Sequence, residues 1–195
     1  GGGFTLRGFA STSQLRDGFF RLGRFGASNV DRIEIIRGAS SLQYGPLFGG
    51  LLNLVLRKPD LSTKLVVESQ NTTGNNGLFS SFNYVGGTSG RLSYTTYYQK
   101  RRGNGWRQNA YFNTDHSHAE VSYAISNKLK VGGQLTYMQT ESQQAGGLTD
   151  KAFAQNAQQS LRARNWFSNP WFIYALTADY IFNTDSKLSV KYFGT

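Results

Sequence analysis

The sequence has no cysteine among its 195 residues, which excludes a disulfide framework and a thiolate metal site. It also lacks any apolar run near the roughly 18 residues that a membrane-spanning helix needs, which excludes a helical membrane protein. A spanning β-barrel stays open, because its strands alternate apolar and polar residues and contain no such run. Acidic residues are scarce: 21 Lys and Arg against 11 Asp and Glu give a net charge of +10. That balance suits nucleic acid, an anionic ligand or a membrane surface equally well.

Groups that carry catalysis are also few. The chain has two histidines, no thiol and no serine in a Gly-x-Ser-x-Gly turn, so we predict that it is not an enzyme and uses no cofactor. The histidines, His116 and His118, are two positions apart in an alternating segment, which places both side chains on one face of a strand. Such a pair is a weak candidate for a metal site. A polar pair on the inner wall of a barrel explains it equally well.

The most distinctive stretch is residues 30–59, VDRIEIIRGASSLQYGPLFGGLLNLVLRKP. Its first seven residues are mostly β-branched and predict a strand, which Arg37-Gly38 ends. A glycine-rich centre then predicts a tight reversal of the backbone. A second strand is predicted at residues 51–56 and ends before Pro59, because proline has no N–H to donate to a continuing ladder.

This stretch resembles the C-terminal half of the plug domain of TonB-dependent outer-membrane receptors. The family pattern is an acidic residue in an Ile/Val-rich strand, then Arg-Gly, a small-residue turn, Tyr-Gly, Gly-Gly, an asparagine in the next strand, and Lys-Pro. The matching positions are Glu34, Arg37, Gly38, Ser40, Tyr44, Gly45, Gly49, Gly50, Asn53, Lys58 and Pro59. FTLRGF at residues 4–9 resembles the preceding strand of the plug, and the pair Asp17-Gly18 resembles the segment that follows that strand. The alternative is a glycine-rich linker between two strands of a soluble protein.

From residue 63 onward, short segments of alternating apolar and polar residues are separated by turn residues. In one of them, Leu92, Tyr94 and Tyr98 fall on one face of a strand while Ser93 and Gln99 fall on the other. The alternation predicts seven two-sided strands. Their cores are residues 64–71, 78–85, 92–99, 117–125, 129–137, 172–182 and 188–192.

The connections between these predicted strands alternate in length. The short ones are residues 86–90, 126–127 and 183–186, and the longer ones are residues 72–77, 101–114 and 141–170. A membrane barrel has short periplasmic turns and long outer loops, whereas a soluble β-sandwich, the alternative, has no reason to place every long loop at one end. Aromatic pairs near strand ends, such as Tyr97-Tyr98 and Trp171-Phe172, fit the interfacial girdle of a membrane protein.

The resemblance implies an architecture. Residues 1–60 are expected to be the C-terminal half of an α+β plug domain inside the lumen of a barrel. Residues 61–195 are expected to be about the first seven strands of an antiparallel membrane β-barrel of 22 strands, as the family implies. Seven strands cannot close a barrel, and an open edge in lipid leaves backbone groups unpaired, so we expect the chain to be part of a longer one. The family lies in the outer membrane of Gram-negative bacteria and works with the TonB energy-transducing complex, through an N-terminal motif that would precede Gly1.

The resemblance also implies active transport of a ferric chelate. Residues 141–171, with GGLTD, QS-R-R and WF, resemble a loop of ferric dicitrate receptors, in which arginines of the outer loops hold the carboxylates of iron citrate. Ferric citrate or another ferric siderophore is therefore the expected cargo. The alternatives are another cargo (cobalamin, a different metal chelate or an oligosaccharide) and a surface receptor that transduces a signal. Nucleic acid is not expected as a partner, because no RNA-binding or DNA-binding module matches.

Arginine suits this chemistry, because a guanidinium group holds a carboxylate in a bidentate way. The expected ligand contacts in the outer loops are Arg102, Arg107, Arg162 and Arg164, and the expected residues of the plug apex are Arg16, Arg21 and Arg24. Contacts between plug and barrel are expected from Arg7, Glu34 and Arg37, which serve equally well as pairs that stabilise the plug itself. For any single arginine, a solvated surface facing outer-membrane lipid and lipopolysaccharide is an equally common explanation.

Overall fold

A computed structural model of the chain describes residues 4–6, 9–11, 14–16, 19–21, 27–36 and 51–195. The chain folds into two compact units, Gly1–Lys58 and Pro59–Thr195. The division falls two residues before the boundary expected from the sequence.

The first unit is built from short strands. Strands β1 and β2 pair as an antiparallel hairpin, and the other four form a mixed sheet in the order β4-β3-β6-β5, in which β3 and β6 run parallel. Its described elements are β1 (Phe4–Leu6), β2 (Phe9–Ser11), β3 (Gln14–Arg16), β4 (Phe19–Arg21), a 3-10 turn (Ala27–Asn29), β5 (Val30–Ile36) and β6 (Leu51–Leu56). No α-helix occurs among these described residues, so the helical part of the α+β prediction is not found there.

The two strands predicted in the distinctive stretch are confirmed as β5 and β6, which pair antiparallel. Leu51, Leu52 and Leu56 are buried, so β6 supplies core side chains to its unit, whereas β5 is largely exposed. Arg57 follows β6 and its backbone N–H donates to the carbonyl of Asn29 at 3.0 Å. The glycine-rich centre between the strands, residues 37–50, lies outside the described residues.

The second unit is a sheet of seven antiparallel strands in strict sequence order. This confirms the number and order of strands that the alternation predicts. The strands are β7 (Val66–Gly74), β8 (Leu78–Ser89), β9 (Leu92–Gly103), β10 (Phe112–Ala124), β11 (Leu129–Gln143), β12 (Trp166–Asn183) and β13 (Ser186–Gly194).

The connections at the two ends of this sheet differ in length, although one of them was predicted wrongly. Residues 72–77 are not a long loop, because β7 continues to Gly74 and only residues 75–77 remain between the strands. Asn76 (φ 56°) and Gly77 (φ 68°) both adopt the left-handed conformation that a tight hairpin turn requires. The loops 104–111 and 144–165 at the same end are long, while residues 90–91, 125–128 and 184–185 at the other end are short.

The longest loop, residues 144–165, contains a helix that the sequence analysis did not predict, α1 (Asp150–Gln155). Thr149 is its N-cap, and its side-chain oxygen accepts a hydrogen bond from the N–H of Ala152 at 3.3 Å. The strand after the loop also begins earlier than predicted and includes Pro170. Proline is tolerated there because β13 pairs with β12 only from Tyr174 onward, so no second ladder among the described residues needs its missing N–H.

Candidate functional site: a two-faced sheet and its long loops

The seven-stranded sheet has an exposed face that is largely apolar, and its other face buries polar side chains together with a smaller set of aromatic and apolar ones. In β11, Leu135 is 52% exposed while its neighbour Thr136 is 1% exposed. In β9, Leu92 is exposed while Thr95 and Gln99 are buried. Exposed apolar surface is unfavourable in water by about 25 cal/mol per Å², so a sheet with this polarity is stable when its outer face meets lipid.

An aromatic row marks the end of the apolar face toward the long loops. Tyr98, Tyr137 and Phe172 lie at matching register positions on β9, β11 and β12, and each is more than two-fifths exposed. One step further along the strands, Lys100 Nζ and Asp115 Oδ2 form an ion pair at 2.7 Å on the same face. Aromatic side chains followed by charges are typical of the boundary between hydrocarbon and the aqueous interface.

The buried face carries an aromatic and histidine cluster. Tyr97 Oη is 3.1 Å from His116 Nε2, and His118 Nδ1 is 2.8 Å from Thr136 Oγ1. Both histidines lie on one face, as predicted, and Tyr97 lies there with them rather than in the aromatic row. Within the described ranges, no group of three or more His, Cys, Asp or Glu side chains is placed to hold a metal ion.

The predicted arginines of the outer loops occupy different surroundings. Arg102 is in β9 rather than in a loop, on the same face as Tyr98, with its guanidinium carbon 5.6 Å from the centre of the Phe79 ring. Arg162 and Arg164 lie in the 144–165 loop and are exposed. Arg162 and Arg164 therefore belong to one loop, whereas Arg102 belongs to a strand.

Arg107 is engaged inside the loops. Its Nη1 donates to the carbonyl of Gly146 at 2.7 Å, and its Nη2 donates to the carbonyl of Gln159 at 2.8 Å. Sequence reasoning missed its neighbour Asn109, whose Nδ2 donates to the carbonyls of Gln144, Arg162 and Asn165 at 3.1, 2.6 and 3.1 Å. No local pattern signals Asn109, because its partners lie more than 30 residues away in sequence.

The remaining predicted positions lie in the first unit. Glu34 Oε2 accepts a hydrogen bond from Asn53 Nδ2 at 2.8 Å, and Glu34 Oε1 is 2.8 Å from Arg32 Nη2. The Asn53 amide, and after it the Arg32 guanidinium, hold the pKa of Glu34 below its ordinary value. Arg16 and Arg21 lie in β3 and β4, and the other three positions, Arg7, Arg24 and Arg37, lie outside the described residues.

Among the described residues, no helix is both long and apolar enough to cross a membrane.

The fold and the exposed apolar face indicate the class of protein: the chain has the fold of part of an outer-membrane receptor barrel. It matches the solved structure of the unliganded ferric citrate transporter FecA with a TM-score of 0.80 and 23% identity, covering 94% of this chain and 30% of that one. It matches the siderophore receptor PiuA from Acinetobacter baumannii with a TM-score of 0.81 and 12% identity, covering 99% of this chain and 31% of that one.

Among curated proteins, the chain is similar to the ferric aerobactin receptor of Klebsiella pneumoniae, with 29% identity over 180 residues. That match covers 84% of this chain and 24% of the receptor, so the chain spans about a quarter of that relative's length. No protein-family model matches the chain.

The resemblance to TonB-dependent outer-membrane receptors predicted from the sequence is confirmed, and with it the location in the outer membrane. These similar proteins are named as receptors and transporters, in agreement with the prediction that the chain is not an enzyme.

Proposed function

We propose that this chain is part of a TonB-dependent receptor that carries a ferric chelate across the outer membrane, with ferric citrate as the first choice of cargo. The observation that carries the proposal is the polarity of the seven-stranded sheet, whose exposed face is largely apolar and whose buried face carries most of its polar side chains together with a smaller set of aromatic and apolar ones. In support, the described sheet is similar to those of a ferric citrate transporter and a siderophore receptor. An enzyme or a soluble binding protein has no use for an exposed apolar face of this extent.

The proposal assigns a role to each unit. Residues 1–60 form the C-terminal half of a plug inside the lumen, and residues 61–195 form the first seven strands of a 22-stranded barrel. Both outer strands of the described sheet, β7 and β13, have a free edge, and an edge in lipid must be paired. The remaining strands of the complete receptor supply those partners.

Transport of a scarce ligand needs an energy source. A nanomolar site holds its ligand by about 12 kcal/mol, so release into the periplasm requires a change in the plug. TonB, acting on a motif upstream of the plug, drives that change. Outer-membrane lipid and lipopolysaccharide surround the barrel, and nucleic acid has no part in the mechanism.

In the proposed site, Arg162 and Arg164 contact the carboxylates of the chelate. Both are exposed in the 144–165 loop, so their guanidinium groups are accessible to a ligand. Arg16, Arg21 and Arg24 are proposed for the plug apex, and Arg7, Glu34 and Arg37 for the contacts between plug and barrel. The contacts of Glu34 with Asn53 and Arg32 favour a stabilising role inside its own unit.

The decisive experiment is uptake of radiolabelled ferric citrate by cells that carry the complete receptor, with and without TonB. We expect uptake that requires TonB and that falls at least tenfold when Arg162 and Arg164 are both changed to Ala. Lys151→Ala, which removes an exposed positive charge from the same loop, is the matched control and should leave uptake unchanged. Equal uptake without TonB, or unchanged growth of a deletion strain on citrate iron, would contradict the proposal.

Ferric aerobactin is a second candidate cargo, favoured by the similarity to the ferric aerobactin receptor. Competition decides between the two: excess unlabelled ferric citrate or ferric aerobactin is added to the labelled chelate, and the true cargo displaces it at the lower concentration. A receptor that transduces a signal would carry an additional domain before the plug, which the upstream sequence reveals.

A further inference from the structure

The two long loops are joined by a continuous segment, residues 107–109, which we call the clip. Each of its three residues bonds to the 144–165 loop. Arg107 and Asn109 donate through their side chains, and the backbone N–H of Gln108 donates to the carbonyl of Gln158 at 2.8 Å. The side-chain oxygen of Gln108 also accepts a hydrogen bond from the N–H of Ser160 at 3.3 Å.

The clip binds both arms of the 144–165 loop at two levels. At the base, Asn109 bonds to the carbonyl of Gln144 on the first arm and to those of Arg162 and Asn165 on the returning arm. Higher up, Arg107 bonds to Gly146 on the first arm and Gln159 on the returning arm. Each side chain therefore holds the two arms together, and the base is closed further by the N–H of Gln144, which donates to the Asn165 carbonyl at 2.8 Å.

The geometry at Asn109 requires this residue type. Its φ is 53°, in the left-handed region that asparagine tolerates better than most residues with a Cβ. Three carbonyl oxygens converge on its amide nitrogen, which calls for a donor with no negative charge. Aspartate has the same shape but offers only acceptors when ionised, so it would repel all three carbonyls.

Arg107 already serves the loop backbone. Each of its terminal nitrogens already donates one N–H to a carbonyl, which ties the guanidinium group to the loop backbone and leaves it fewer N–H groups for a carboxylate than an exposed arginine has. Arg162 differs, because the clip holds its backbone carbonyl while its side chain stays exposed. The stem of the Arg162 side chain lies close over Gly146, where an added Cβ would come within 2.7 Å of it.

We propose that Arg107 and Asn109 are positioning residues, which fix the 144–165 loop before ligand arrives so that Arg162 and Arg164 are already in place. The inference deepens the proposed function and rests on it for the identity of the ligand. It replaces the prediction that Arg107 is a ligand contact. Preorganisation of this kind raises affinity because the ligand does not have to order the loop.

The test compares Asn109→Asp, Asn109→Gly and Arg107→Ala in the complete receptor. Asn109→Gly keeps the positive φ and removes only the donor, so it separates the hydrogen bonds from backbone strain. Lys151→Ala is the control. Hydrogen exchange at the amides of Gln144 and Asn165 reports whether the loop is docked, and slow exchange of the β9–β12 amides shows that the sheet has folded.

We expect all three variants to speed exchange at the loop amides, with Asn109→Asp the most severe. If the docked fraction falls to about one tenth, the Kd for ferric citrate rises about tenfold, which is about 1.4 kcal/mol. The rise should come from a slower association rate with an unchanged dissociation rate, because only docked receptors can bind. The control should change neither exchange nor affinity.

Three results overturn the inference: fast loop exchange with unchanged affinity, unchanged exchange in all variants, or a faster dissociation rate in Arg107→Ala with the loop still docked. The last result makes Arg107 a direct ligand contact. Failure of the unaltered receptor to bind ferric citrate is a different outcome, because it refutes the proposed cargo while exchange at the loop amides still decides whether the clip holds the loop.

Discussion

Single residues decide how closely backbone segments approach the sheet, and Gly87 is the clearest case. The segment before β7 lies across it: the N–H of Thr88 donates to the carbonyl of Thr63 at 2.8 Å, and Tyr94 Oη donates to the carbonyl of Lys64 at 2.9 Å. A Cβ at Gly87 would lie 2.1 Å from that Lys64 carbonyl oxygen. Only glycine lets the segment lie this close to the sheet.

Gly87→Ala is therefore expected to push the segment away and lower stability by roughly 1–3 kcal/mol, as overpacking usually does. Urea unfolding of the receptor refolded in lipid vesicles measures the change. Gly147→Ala is the matched control, because an added Cβ there meets no atom within 4 Å. An equal loss of stability in both variants would show that close approach is not the reason.

The carboxylate of Asp60 closes a turn just before the sheet. It accepts hydrogen bonds from the N–H of Ser62 at 2.8 Å, from the Ser62 hydroxyl at 2.7 Å and from the Thr63 hydroxyl at 2.9 Å. These bonds, with the backbone N–H contributing most, hold the pKa of Asp60 below its ordinary value of 3.8. A lowered pKa stabilises the folded turn above the ordinary value, and this contribution is lost as the pH falls through the lowered one.

The Ser62 amide should thus keep a constant protection factor in hydrogen exchange from pH 7 to about 5 and lose protection below about 4. Asp60→Asn, which has no charge to titrate, should abolish the pH dependence. Loss of protection already between pH 7 and 5 would assign the effect to a different group.

At the scale of the element, alternation in the sequence predicted all seven strands of the second unit, because two-sided strands leave a period of two. It predicted less well where a local conformation decides. The Asn76-Gly77 turn looked like a loop. Pro170 looked like a strand boundary, yet it lies within β12, at a position where the described part of the chain shows no pairing with β13. The clip was not predictable from sequence, because loop contacts between distant residues follow neither period nor composition.

An exposed leucine on the sheet and an exposed leucine in the long loop together provide a test of the membrane assignment. Leu135 in β11 and Leu161 in the long loop are 52% and 67% exposed, so in a water-soluble protein Leu→Arg would cost little at either position. In a membrane wall, Leu135→Arg should lower stability by about 2–4 kcal/mol, whereas Leu161→Arg should have almost no effect. Unfolding in lipid vesicles gives both values, and equal small effects would contradict a lipid-facing β11.

At the scale of the whole molecule, the resemblance in the sequence identified the class of protein, while the described structure supplied the polarity of the sheet. The arginines show the limit of the sequence. The sequence predicts ligand contacts at Arg102 and Arg107, which stay predictions. The structure adds that the Arg102 guanidinium lies over the Phe79 ring and that Arg107 donates to backbone carbonyls. Which cations stay exposed depends on packing that composition does not record.

The division after Lys58 predicts that the two units are separable. Removal of residues 1–58, together with any plug sequence before them, from the complete receptor should leave a folded wall around an open lumen. We expect ion conductance across planar bilayers to appear and ferric citrate uptake to become independent of TonB. A deletion variant that folds, as shown by slow exchange of the β9–β12 amides, but conducts no ions would refute a plug role for the first unit.

In the part of the chain that the structure describes, every strand from β7 to β13 pairs only with its neighbours along the chain. A wall with this connectivity grows by one hairpin at a time, without threading any segment between strands that are already joined. Duplication or loss of a hairpin within a gene would therefore change the circumference of such a cylinder in steps of two strands, while every other pairing stays as it was.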